Sequence, residues 1–97
     1  MTRPPVKLVR KRLDADGVAA HLRDLAARAT QLEVRTKDDA ARMSDATNDP
    51  LDALGRRLVA GEVAGLQIRF FADDAWWSDT VLRAQAGFLL VRMREGA

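Results

Sequence analysis

The sequence predicts an α+β fold: a helical N-terminal two-thirds packed on a C-terminal three-stranded antiparallel meander, with room for one or two N-terminal strands in the same sheet. Two observations predict it. All five aromatic residues lie in the nineteen positions from Phe70 to Phe88, so the largest core side chains belong to that stretch. Upstream, apolar residues recur at helical spacing between helix caps and breaks. The 97 residues form a single domain, 1–97, in which 1–5 are a loose arm.

The aromatic stretch alternates as three β-strands, Leu66–Phe71, Trp77–Arg83 and Phe88–Arg94. We predict that the first hairpin turns through 73–75, so that residue 68 faces residue 80. The second turns through 84–87, so that residue 80 faces residue 91. A two-residue turn at 73–74 would instead set Asp79 opposite Ile68 on the core side. Burying an unpaired carboxylate is costly, so the three-residue loop is preferred.

This register assigns two faces to the sheet. The core face carries Leu66, Ile68, Phe70, Thr80, Leu82, Leu89, Val91 and Met93. The other is the predicted interaction face, which carries Phe71, Trp77, Val81, Leu90, Arg69, Arg92 and Asp79. On it Asp79 lies between Arg69 and Arg92, and we predict that it pairs with one or both and has no catalytic role.

Upstream of the meander the pattern favours helices. Val18, Leu22 and Leu25 form an apolar stripe after a possible cap at Asp14 or Asp16, which predicts a helix over about 15–30. A possible strand covers 6–13, and the segment 31–36 forms either a short strand or more helix. A second helix is predicted over 38–46. A third helix is capped by Asp49, begins at Pro50 and stops at Gly61.

The residues that carry chemistry are few. The chain has no cysteine and a single histidine, His21, beside the apolar stripe of the first predicted helix. No phosphate-binding glycine motif is present, and the acidic pairs lack the spacing of a calcium loop. We therefore expect no enzyme activity, no cofactor and no metal site. With no apolar run of about 20 residues and no signal-peptide pattern, we expect a cytoplasmic protein without a membrane segment.

Two functions follow from the surface patterns. The first is a protein–protein interaction module, an adaptor, accessory subunit or self-associating protein, whose interaction face centres on Trp77 and binds another protein or a second copy. The alternative is nucleic-acid binding by the basic arm of Arg3, Lys7, Arg10, Lys11 and Arg12. The same residues also suit an edge strand protected from aggregation. The net charge is only +2, so nucleic acid is the less favoured partner.

Overall fold

The computed structural model describes residues 8–38, 43, 44 and 46–95, and it shows a five-stranded antiparallel sheet with two helices on one face. The sheet order is β1-β5-β4-β3-β2, so β1 and β2 form its two edges. The elements are β1 (Leu8–Leu13), α1 (Ala15–Arg28), β2 (Gln31–Lys37), α2 (Leu51–Ala60), β3 (Gly65–Ala72), β4 (Ala75–Ala84) and β5 (Gly87–Arg94).

The predicted fold, a helical two-thirds on a three-stranded meander, is wrong, because the described residues form a five-stranded antiparallel sheet with only two helices. The ambiguous segment is strand β2, whose ladder with β3 satisfies its backbone groups. Its other edge pairs with Ser44, which lies in the predicted helix over 38–46, and with Thr47, which follows that helix: Ser44 N donates to Thr36 O at 2.9 Å, and Thr47 N donates to Val34 O at 2.8 Å. The rest of that predicted helix, 39–42 and 45, and the arm 1–5 lie outside the described residues.

Helix α1 begins where the sequence predicted. The Asp14 side chain caps it by accepting a hydrogen bond of 2.7 Å from the backbone nitrogen of Gly17. Its stripe of Val18, Leu22 and Leu25 is buried. Within the described part of the chain, no helix is long and apolar enough to cross a membrane.

Helix α2 begins one residue later than predicted, because Pro50 occupies the capping position and Asp49 makes no capping bond. It ends at Gly61 as predicted, in a left-handed conformation with φ of 86°. Gly55 brings the two helices together: a Cβ there would lie 2.7 Å from Leu22 Cδ1. A larger residue at this position would therefore force the Leu22 side chain to shift.

The first hairpin differs from the prediction and changes the faces of the sheet. The turn has two residues, Asp73 and Asp74, with φ of 51° and 60°, and Ile68 pairs with Asp79. The second hairpin keeps the predicted register, with Leu82 opposite Leu89. Compared with the prediction, the side chains of β4 and β5 therefore lie on the opposite faces of the sheet, whereas those of β3 keep their predicted faces.

The helices and the inner face of the sheet enclose one core. Its buried members are Val18, Leu22, Leu25, Val34, Leu51, Leu54, Leu58, Val63, Leu66, Ile68, Phe70, Val81, Phe88 and Leu90. The β3 part of the predicted core face is correct. The β4 and β5 part is wrong, because the changed register turns five of those residues to the opposite face: Thr80, Leu82, Leu89, Val91 and Met93.

The strain in the first turn gives a stability prediction. Left-handed backbone is unfavourable for a residue with a side chain, and two-residue hairpin turns prefer glycine at the second position. We expect Asp74→Gly to raise the free energy of unfolding by about 0.5–1 kcal/mol in urea denaturation. Asp24→Gly, in the middle of α1, is the control and should lower it by about 1 kcal/mol. A loss of stability in Asp74→Gly would contradict this turn.

Candidate functional site

Among the described residues, one buried carboxylate organises the inner face. Asp79 is 0% exposed and lies on β4, directly opposite Arg92 on β5. Arg92 binds it with two hydrogen bonds, from Nε to Oδ1 and from Nη2 to Oδ2, both 2.8 Å long. His21 of α1 supplies a third contact, with Nε2 2.7 Å from Oδ2. We call His21, Asp79 and Arg92 the Asp79 cluster.

The contacts keep this carboxylate ionised. Burial would raise the pKa of Asp79, but the hydrogen bonds from Arg92 and His21 outweigh burial and lower the pKa below its ordinary value. The hydrogen bonds from Arg92 to Asp79 also raise the pKa of Arg92. Since an ionised carboxylate only accepts, His21 Nε2 carries the proton and donates it to Asp79. Its other ring nitrogen, Nδ1, has no partner among the described residues.

A small pocket of about 280 Å³ opens beside the Asp79 cluster. Trp77 is held at its wall by a hydrogen bond of 3.0 Å from Nε1 to the Ala72 carbonyl. The Arg92 guanidinium carbon lies 6.0 Å from the Trp77 ring centroid, a cation–π distance. The pocket is lined by Val9, Lys11, His21, Asp24, Trp77, Leu90 and Arg92.

The predicted interaction face does not exist as one surface. The predicted pairing of Asp79 with Arg92 is observed, but Arg69 lies on the opposite face of the sheet. Val81 and Leu90 are only 1% and 5% exposed, because both point toward the helices. Trp77 is half-buried against the same core, while Phe71 points away from it. The cause is the one-residue difference at the first hairpin.

The face turned away from the helices is the outer face. Its centre is an apolar strip on β4 and β5, formed by Leu82, Leu89, Val91 and Met93. Cations flank the strip at both edges of the sheet: Arg10 and Arg12 on β1, and Arg35 and Lys37 on β2. The basic arm is therefore divided, since Lys11 points to the inner face. Arg3 and Lys7 lie outside the described residues.

An aromatic pair closes one end of the outer face. Phe71 and Trp76 meet edge to face, with ring centroids 5.4 Å apart. The Arg69 guanidinium carbon lies 4.2 Å from the Trp76 centroid. Arg69 also donates two hydrogen bonds to the Glu95 carboxylate, at 2.8 and 3.0 Å, which raise the pKa of Arg69 and lower the pKa of Glu95. The ring face of Trp76 is thus already covered.

A larger groove of about 1110 Å³ lies between α1, α2 and β2. Leu32 and Val59 are 42% and 41% exposed in it. An acid at its rim, Asp52, pairs along α2 with Arg56 at 3.2 Å. The groove has an apolar floor, and polar residues from both helices and from the segment before α2 also line it. In residues 8–38, 43, 44 and 46–95, no three histidine or acidic side chains could hold a metal ion together.

His21 is the functional residue that sequence reasoning undervalued. As a lone imidazole in a chain without cysteine, it is a poor metal or catalytic candidate from the sequence alone. The signal was present, because His21 follows Val18 by three residues and precedes Leu25 by four, which places it on the buried side of α1. A buried Asp79 requires donors, and His21 is the donor that α1 presents to the core.

The comparisons with known proteins add no relative. No protein-family model matches the chain, and no curated protein or solved structure is significantly similar to it. The arguments about function therefore rest on the Asp79 cluster, its pocket and the outer face.

A double-mutant cycle on Asp79 and Arg92 should show a strong energetic coupling between the two residues. Arg92→Met leaves a buried carboxylate with one donor, so we expect a loss of about 3 kcal/mol or more in the free energy of unfolding. Adding Asp79→Leu should restore much of that loss, because the unpaired charge is removed. Glu95→Gln, which breaks the exposed pair on the outer face, is the control and should change stability little. Equal effects of Arg92→Met and Glu95→Gln would contradict a buried ion pair.

The cluster also predicts how stability depends on pH. The pKa of Asp79 is lower in the folded protein than in the unfolded chain, so its contribution is fully present above the unfolded value, about 4. It is lost as the pH falls through the folded value. We expect the free energy of unfolding to fall more steeply below about pH 4 in the wild type than in Asp79→Asn. Parallel pH profiles from urea denaturation would contradict the assignment.

Proposed function

We propose that this protein is a small, non-enzymatic, cytoplasmic module that binds another protein through its outer face. The observation that carries the proposal is the apolar strip of Leu82, Leu89, Val91 and Met93, which neither helix covers. Met93 is 47% exposed. A single exposed apolar residue needs no explanation, whereas a contiguous strip on a sheet face is typical of interaction sites. Methionine, arginine and aromatic residues, all present on this face, are enriched at protein interfaces.

The charges around the strip indicate the partner's chemistry. Arg10 has no partner among the described residues, and neither does Lys37 at the opposite edge. The carboxylates on the outer face are engaged: Glu33 pairs with Arg35 at 3.1 Å and Glu95 binds Arg69. A complementary surface therefore has an apolar centre and an acidic rim. A second copy fits poorly, because two-fold pairing of this face would bring its cations together.

The geometry favours a protein over nucleic acid. Proteins that bind bases on a sheet leave aromatic ring faces free for stacking. Here the Trp76 ring lies under Arg69, and the centre of the face is aliphatic. The clustered cations of β1 are the feature that supports the alternative, nucleic-acid binding.

The size of the face indicates a transient complex. Five strands spaced about 4.8 Å apart and about 26 Å long on average give roughly 600 Å² in projection. Standard stable interfaces bury about 800 Å² on each partner, and smaller ones are typical of transient encounters. We therefore expect moderate affinity, with electrostatic attraction raising the association rate.

The test compares capture of a partner from the native host by wild type and by two outer-face variants, Val91→Glu and Met93→Glu. The control is Val59→Glu, which adds the same charge at an exposed apolar residue of α2. We expect both outer-face variants to lose the partner and Val59→Glu to retain it. With the purified partner, the two variants should weaken binding by about tenfold or more. Charge reversal at Arg10 should mainly slow association.

Three results would contradict the proposal. The first is retention of the partner by all variants. The second is a wild-type dimer in sedimentation that Met93→Glu dissociates, since the partner would then be a second copy. The third is salt-dependent, sub-micromolar binding to a labelled single-stranded or duplex oligonucleotide, which would establish the alternative.

A further inference from the structure

The pocket beside the Asp79 cluster has the size of a small-ligand site. It lies where β1 and α1 meet β4 and β5, on the side of the sheet opposite the outer face. Its volume of about 280 Å³ has room for about nine water-sized groups. That is just below the range of about 300–1,000 Å³ that is typical of small-molecule sites, so only a small ligand fits.

Three polar groups with unused hydrogen-bonding capacity surround this pocket. Lys11 has no partner among the described residues, and it lies on the inner side of β1 opposite Leu90. Arg92 uses Nε and Nη2 on Asp79, so Nη1 is left over. His21 uses Nε2 on Asp79, and Nδ1 is left over. Two cationic side chains and one imidazole nitrogen with unused hydrogen-bonding capacity thus surround one small space.

The charge balance favours an anion. Each carboxylate around the pocket has a cationic partner: Asp79 binds Arg92, and Asp24 pairs with Arg28 at 3.1 Å. The positive charge of Lys11 is not balanced by any described residue. Lys11 and the unused Nη1 of Arg92 are therefore the cationic donors available to a carboxylate in this pocket.

The walls favour an apolar body on that anion. Val9, Leu90 and Trp77 supply them, and Trp77 is fixed by its hydrogen bond to the Ala72 carbonyl. An indole ring packs well against another flat ring. We propose that this pocket binds a small carboxylate with an apolar, preferably aromatic, body. In this site Asp79 is a positioning residue, because it holds Arg92 and His21 in place without lining the pocket.

The test uses benzoate as the probe and nuclear magnetic resonance as the measurement. We expect saturable shifts of the Trp77 indole N–H and the His21 ring signals, with a dissociation constant at or below about 1 mM. Benzamide has the same shape without the charge, and it should bind about tenfold more weakly or worse. Inorganic phosphate has the charge without the ring and should also bind more weakly.

Two matched variants locate the site. Lys11→Met removes the free cation from the pocket and should weaken benzoate binding by about tenfold or more. Arg10→Met removes a cation from the adjacent position on the outer face and should change binding by less than about twofold. Both side chains are exposed, so both variants should fold as the wild type does.

Several results would overturn this proposal: no saturable shift with benzoate, equal binding of benzamide, equal binding of phosphate, or equal losses in Lys11→Met and Arg10→Met. Its failure would be separate from failure of the protein-binding proposal. The outer-face variants leave Lys11, His21 and Arg92 unchanged, and Lys11→Met leaves the outer face unchanged.

Discussion

The buried Asp79 carboxylate is the constraint on which the rest of the structure depends. It connects β4 to β5 through Arg92 and connects the sheet to α1 through His21. A shift of one residue between β3 and β4 would turn Asp79 to the opposite face, away from the β3 residues of the core. Since an unpaired buried charge is strongly unfavourable, the cluster opposes any arrangement that separates its members. It thereby specifies the register and the position of α1 together.

Covering the sheet on one side gives the protein two different surfaces. The inner side is the core with a small polar pocket at its end, and the outer side is an apolar strip between basic edges. Strand β1 contributes to both, because alternation points Lys11 inward and Arg10 outward. A basic edge strand that discourages pairing with its own copy thus supplies charge to both proposed binding surfaces.

The faces of the sheet could not be read from hydrophobicity alone. Strand β4 offers a tryptophan and an aliphatic residue on each side: Trp77 and Val81 inward, Trp76 and Leu82 outward. With apolar groups on both sides, the charge of Asp79 became the deciding argument, and that argument failed because Asp79 is buried with partners. One of those partners, His21, is 58 residues away in sequence, so local pattern could not reveal it.

The sequence by itself determined the features that depend on neighbouring residues. These are the start of α1 near residue 15, after a cap at Asp14 or Asp16, the end of α2 at Gly61, and the pairing of β4 with β5 across a short turn. It did not determine the strand character of β2, the register of β3 with β4, or the Asp79 cluster. Those depend on contacts between distant residues, where hydrogen bonding and burial outweigh local propensity. Tertiary structure therefore decided which side of the sheet meets the helices, and with it which side chains are free to bind a partner.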